Sequence, residues 1–169
     1  MASEYFPPQE LIIPHDDYHG KLVGKTQSGD QFFITTPFTW QSQEGASGVE
    51  FVALYLFDSK GQLKNAEINK LGLRSDLVGE EAAKILPGNI AQKNTVSQKV
   101  IDGHIETLGD ISYEDITVNL FALEKFGVKF GLFPDDGLDL EEDELPIYVR
   151  LEPGDYMAFY PPWDGEYDT

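Results

Sequence analysis

The sequence predicts an α+β fold: a single domain made mainly of antiparallel β hairpins, about eight strands, with two short helices inserted near residues 76–108. Three observations predict it. Short β-prone runs come in pairs around turn signals on either side of the middle of the chain. The hydrophobic period turns helical only between residues 77 and 108. The length, 169 residues, suits one domain better than two. With 41% hydrophobic and 12% aromatic residues, the chain has the material for a core in spite of its charge.

Residues 1–20 read as an irregular lead-in. Pro7, Pro8 and Pro14 oppose helix and central strand, while Leu11, Ile12 and Ile13 can pin the segment to the core. Residues 21–26 and 31–36 flank a Ser-Gly turn and make the first hairpin. Residues 41–48 are polar and carry Gly45 and Gly48, a loop. Residues 51–57 are short, aromatic and branched, and are expected to be the most buried strand. Residues 62–68 return as its half-exposed partner after the turn signal at Asp58 to Gly61.

The period then changes. Leu77, Val78, Ala82, Ile85 and Leu86 share one helical face, which Pro87 and Gly88 end. A second helix is better marked. Thr95 and Gln98 have capping-box spacing, Val96, Val100, Ile101, Ile105 and Leu108 form the stripe, and Gly109 closes it. Alternation resumes at Ile116, Val118, Leu120 and Ala122, and again at Val128, Phe130 and Leu132, around a turn at residues 124–127. The last hairpin joins residues 147–151 to 156–160 through Pro153 and Gly154, a pair that suits a type II turn. Residues 135–144 form an acidic loop and 161–169 an acidic, aromatic C-terminal tail.

Thirty acids oppose twelve bases, a net charge of −18. Residues 111–169 hold fifteen acids and three bases, while residues 51–110 are nearly neutral with eight and seven. Nucleic acid and anionic membrane are disfavoured as direct partners, since binding them needs positive charge. A basic protein or a cation is the partner this field permits. No cysteine is present, which excludes disulfides, a thiol nucleophile and thiolate metal sites, and fits a reducing compartment. The N-terminus has no basic flank or apolar run of signal-peptide type, and the longest apolar run, residues 51–57, is far shorter than the about twenty residues of a membrane span. A cytoplasmic protein is the expectation.

Chemistry is sparsely marked. The sequence has no nucleophile elbow, phosphate-binding glycine loop, dinucleotide fingerprint or zinc-protease motif, so no catalytic residue and no cofactor is expected. His15, Asp16, Asp17 and His19 are a candidate metal segment, because imidazoles and carboxylates at this spacing can share a divalent ion; an exposed loop is the plainer reading. His104 falls beside the stripe of the second helix, where a hydrogen-bonded boundary histidine is expected. Two features suit a basic partner. One is the loop, with Asp135, Asp136, Asp139, Glu141, Glu142, Asp143 and Glu144; the other is the tail, with Trp163 and Tyr167 among Asp164 and Glu166. For Trp163 the plainer reading is a lid folded back on the sheet edge, with the acids of the tail simply solvating the end. The expected function is an acidic protein-interaction module, such as an inhibitor, an immunity-like protein or an adaptor. The alternatives are a small-molecule binder or enzyme with an unmarked pocket, and a metal-dependent role at residues 15–19.

Overall fold

A strand with apolar side chains at successive positions must be covered on both faces, and residues 49–57 set that requirement. The computed structural model describes residues 9–17, 19–39, 48–73, 95–134, 148–154, 157–160 and 162–168. Twelve strands lie among them: β1 (Glu10–Ile13), β2 (Val23–Thr26), β3 (Gln31–Thr35), β4 (Val49–Phe57), β5 (Leu63–Leu73), β6 (Ile111–Tyr113), β7 (Ile116–Asn119), β8 (Ala122–Lys125), β9 (Val128–Pro134), β10 (Val149–Glu152), β11 (Ala158–Phe159) and β12 (Tyr167–Asp168). One helix, α1 (Thr95–Leu108), stands between β5 and β6.

All pairings are antiparallel. The first sheet has the order β5-β4-β3-β2-β6, the second β12-β11-β10-β9-β8, and β1 pairs with β7. Two cores follow from the alternation along β3 and β4. Phe33, Phe51, Ala53, Tyr55 and Phe57 face Phe130, Leu132, Val149, Leu151 and Phe159 of the second sheet, with Leu11, Ile13, Ile116 and Val118 of the β1–β7 ladder in the same cluster. Phe32, Ile34, Val52 and Leu54 point the other way, under Ile101 of α1. The layers are therefore helix, first sheet, second sheet. Each of the buried Val, Leu, Ile and Phe side chains among these contributes about 1.5–3 kcal/mol relative to exposure.

A buried amide ties the ladder to the first sheet. Gln31 is 4% exposed. Its Nε2 donates to the carbonyls of Asp58 and Thr117 at 3.0 and 2.9 Å, and its Oε1 accepts from the Thr117 N–H at 2.9 Å.

The expectation of about eight strands and two short helices is corrected. The helical part among the described residues is one fourteen-residue helix; residues 77–86, expected to form the first helix, lie outside the described residues. Three further strands appear, β1, β6 and β12. The run from Ile116 to Ala122 is two strands in different sheets, β7 and β8. The cause of the split is local: Phe121 is buried and its carbonyl accepts from Leu132 N at 2.9 Å, so the chain changes sheet there. The extra strands are two to four residues long and carry no alternation to speak of; their partners, not their own side chains, make them extended.

Three of the four expected hairpins keep both strands; the one after the helix keeps only its second, because residues 122–125, largely read as turn, take the place of 116–122 opposite β9. β2–β3 and β4–β5 pair as expected, and β8–β9 turns at Phe126 and Gly127, with φ of 57° and 73°. Two successive positive φ values match the right-handed twist of a two-residue hairpin turn. Gly109 closes α1 with φ 77° and its N–H on the Glu106 carbonyl at 3.2 Å. In the last turn the Glu152–Pro153 peptide is cis, and Gly154 has φ 66°, the positive value that a type II turn asks of its third residue.

Candidate functional site

The segment that follows β1 turns after Pro14, and Gly20 lets it close on itself. Asp16 N donates to the Gly20 carbonyl at 3.0 Å, and Gly20 N donates to Asp16 Oδ1 at 2.8 Å. A Cβ at position 20 would lie 2.1 Å from the Pro14 carbonyl oxygen, so only glycine allows this approach. The other Asp16 oxygen accepts from the Tyr167 hydroxyl at 2.5 Å, and that hydroxyl in turn accepts from His19 N at 3.3 Å. The His19 and Tyr167 rings meet edge to face, 6.1 Å between centroids. Residues 151 positions apart thus form one cluster.

The four metal candidates are not brought to one point. His15 turns outward, its N–H on Asp115 Oδ1 at 2.8 Å and its ring stacked on Tyr113 at 5.5 Å. Asp17 is exposed. Both Asp16 oxygens accept hydrogen bonds within the cluster. Among the described residues no group of three or more His, Asp or Glu side chains could hold a metal ion. Burial lowers the His19 pKa below its ordinary 6.5, with the Asp16 carboxylate opposing, so the ring is mainly neutral at pH 7.

The tail folds back. Trp163 takes φ 66°, donates its N–H to the Tyr160 carbonyl at 3.0 Å and packs half-buried against the core between the sheets. Tyr167 sits in β12, also half-buried, 5.7 Å from the Phe159 ring. Asp164 and Glu166 stay exposed; Asp164 Oδ1 accepts from Glu166 N at 3.2 Å, and Glu166 accepts from the Tyr160 hydroxyl at 3.1 Å. The acidic loop candidates Asp135, Asp136, Asp139, Glu141, Glu142, Asp143 and Glu144 lie outside the described residues.

His19 also borders a cavity of about 320 Å³ at the end of β3. Among the described residues its polar lining is His19, Lys21, Thr35, Thr36 and Gln98. Its apolar lining includes Leu22, Phe33 and Ile34 from the first sheet, Ile101 and Ile105 from α1, and Leu151 and Met157 from the second-sheet side. Phe33 and Ile34 point to opposite faces of β3, so the cavity wraps round the end of that strand and touches both cores.

Comparison of the chain with protein-family models, with curated proteins and with solved structures finds no match.

The site reading from sequence missed two things. One is the meeting of Tyr167 with Asp16 and His19, for which a single sequence carries no signal. The other is which partners satisfy His104, whose hydrogen-bonded boundary role is as expected: it is 7% exposed, with Nε2 on Asn69 Oδ1 at 2.7 Å and Nδ1 on Glu67 Oε2 at 3.2 Å. There a signal existed: Asn65, Glu67 and Asn69 place three polar side chains on one face of β5, the face that receives α1. Burial lowers the His104 pKa below 6.5, and Glu67 opposes.

Proposed function

We propose that this chain is an acidic protein-interaction module that binds a basic protein surface, in the manner of an inhibitor, an immunity-like protein or an adaptor. The observation that carries the reading is the charge: −18 overall, with fifteen acids against three bases in residues 111–169. Glu114, Asp115, Glu124, Asp164 and Glu166 of that stretch are all exposed, so their field reaches solvent and can steer a cationic partner. Trp163 and Tyr167, packed on the core, give the acids of the tail a firm mount, which lowers the ordering cost of docking. A reducing, cytoplasmic setting belongs to the same reading, on the absence of cysteine. No helix among the described residues is long and apolar enough to cross a membrane.

The test is capture of partners from native lysate at physiological salt, with two charge-neutralised forms beside the parent chain. One carries Asn or Gln at Asp135, Asp136, Asp139, Glu141, Glu142, Asp143 and Glu144; the other at Asp164 and Glu166. A basic protein retained by the parent and lost from at least one neutralised form is the expected result. No specific partner, or one that both neutralised forms hold unchanged, sinks the reading.

A further inference from the structure

We propose that the cavity at the end of β3 is a binding site for a small amphiphilic carboxylate, its apolar body between α1 and the sheet ends and its carboxylate on Lys21. The site is separate from the acidic surface and stands without it. Three observations combine. The cavity's volume, about 320 Å³, is at the lower end of the roughly 300–1,000 Å³ range of ligand sites and suits a ligand of about ten to fifteen heavy atoms. Its walls come from all three layers, so an occupant contacts Leu22, Ile34, Ile101, Ile105, Leu151 and Met157 together. Its one formally charged lining residue among those described is Lys21, an unusual outcome in a chain with thirty acids against twelve bases.

Two acids lie beside lining residues and keep their charge, Asp16 next to His19 and Asp102 next to Gln98. Asp16 accepts from Gly20 N and the Tyr167 hydroxyl, and Asp102 accepts from the Gln98 amide at 2.8 Å. The overall negative field of the protein works against any anion. At physiological salt charges beyond about 8 Å are largely screened, so the contest is between the direct contact with Lys21 and the repulsion of the nearby Asp16 and Asp102. His19, Thr35, Thr36 and Gln98 make up the rest of the polar lining. A cationic ligand of the same shape meets Lys21 with like charge.

The probes are octanoate, octanol and octylamine, titrated calorimetrically into the whole protein at pH 7.5. Octanoate is expected to saturate with a dissociation constant on the order of a millimolar or below. Octanol should bind about five-fold more weakly and octylamine more weakly still, in line with a partly exposed charge contact. Lys21 is exposed, so Lys21→Met should leave the fold intact and reduce octanoate to the affinity of octanol, while Lys21→Arg keeps the preference. Ile105→Trp, which fills the cavity, should abolish binding of both. If octanoate fails to saturate, if the three probes bind alike, or if Lys21→Met leaves the octanoate-to-octanol ratio unchanged, the proposal is overturned. Should Ile105→Trp not fold, the Lys21 pair alone decides the matter.

Discussion

Replacing Tyr167 by phenylalanine removes one oxygen and keeps the ring, so it isolates the bond between the two distant parts of the chain. The ring's packing against Phe159 is retained, and no cavity term enters. What disappears is an O–H donated to the Asp16 carboxylate at 2.5 Å and an acceptor for His19 N at 3.3 Å. A hydrogen bond to a charged group contributes about 1.5–3 kcal/mol net. Asp16 is half-buried and can recover some hydration, which places the loss at the lower end, about 1.5–2 kcal/mol. The long His19 contact adds no more than about 0.5 kcal/mol. Urea unfolding should therefore show Tyr167→Phe less stable by about 2 kcal/mol, with the midpoint lower by about 1 M at an m-value near 2 kcal/mol/M and the slope unchanged. A double-mutant cycle with Asp16→Asn should return a coupling of about 1–2 kcal/mol. Strict additivity in that cycle, or a loss below about 0.5 kcal/mol, would show that the cluster is a contact without consequence.

Two further outcomes follow from the same structure. The folded pKa of His104 lies below its unfolded value of about 6.5, chiefly because the ring is buried. The neutral ring's contribution to stability is therefore present above about pH 6.5 and is lost as pH falls through the folded value; His19 acts in the same direction. Unfolding free energy measured between pH 7.5 and 5 should fall on acidification, and His104→Gln should reduce proton uptake on unfolding by up to about one proton; an identical slope in the variant contradicts this. Glycine positions give a contrast. Gly103→Ala, in α1 with nothing within 4 Å of the added Cβ, should stabilise by about 0.5–1 kcal/mol. Gly131→Ala, at φ 147° with the Cβ 2.1 Å from the Phe121 carbonyl oxygen, should cost more than about 3 kcal/mol. Melting temperatures that move the same way for both variants would count against the described backbone.

Legibility in the sequence followed the range of the interactions. Residues 51–57 announced a strand covered on both faces because nearly every side chain is apolar, and β4 is buried almost throughout. The stripe from Val100 to Leu108 and the closing Gly109 marked α1, since a helix is decided within a few turns of itself. β1, β6 and β12 were not legible. Glu10 to Ile13 has three consecutive apolar residues between prolines and becomes a strand only through Thr117 and its neighbours, over a hundred positions away. The site divides the same way. His104 could be read as a boundary histidine from its place beside the stripe. The convergence of Tyr167 on Asp16, and of Lys21 with Met157 around one cavity, depends on how the sheets stack, which no local pattern encodes.

Gln31 has a consequence for how the layers align. Phenylalanine, valine and leucine surfaces attract one another without choosing a register, so an apolar interface alone tolerates a ladder sliding by a residue pair. The Gln31 amide stands where a peptide group of a neighbouring strand would stand, and offers Thr117 both a donor and an acceptor. Sliding the β1–β7 ladder past the first sheet breaks the two part-buried hydrogen bonds between Gln31 and Thr117, at about 1–3 kcal/mol for each group left buried and unsatisfied. The Gln31 amide is thus a directional tie within a hydrophobic stack, acting beside the Asn119 N–H on the Gly61 carbonyl at 2.9 Å, and together they favour one register of the ladder on the first sheet over shifted ones.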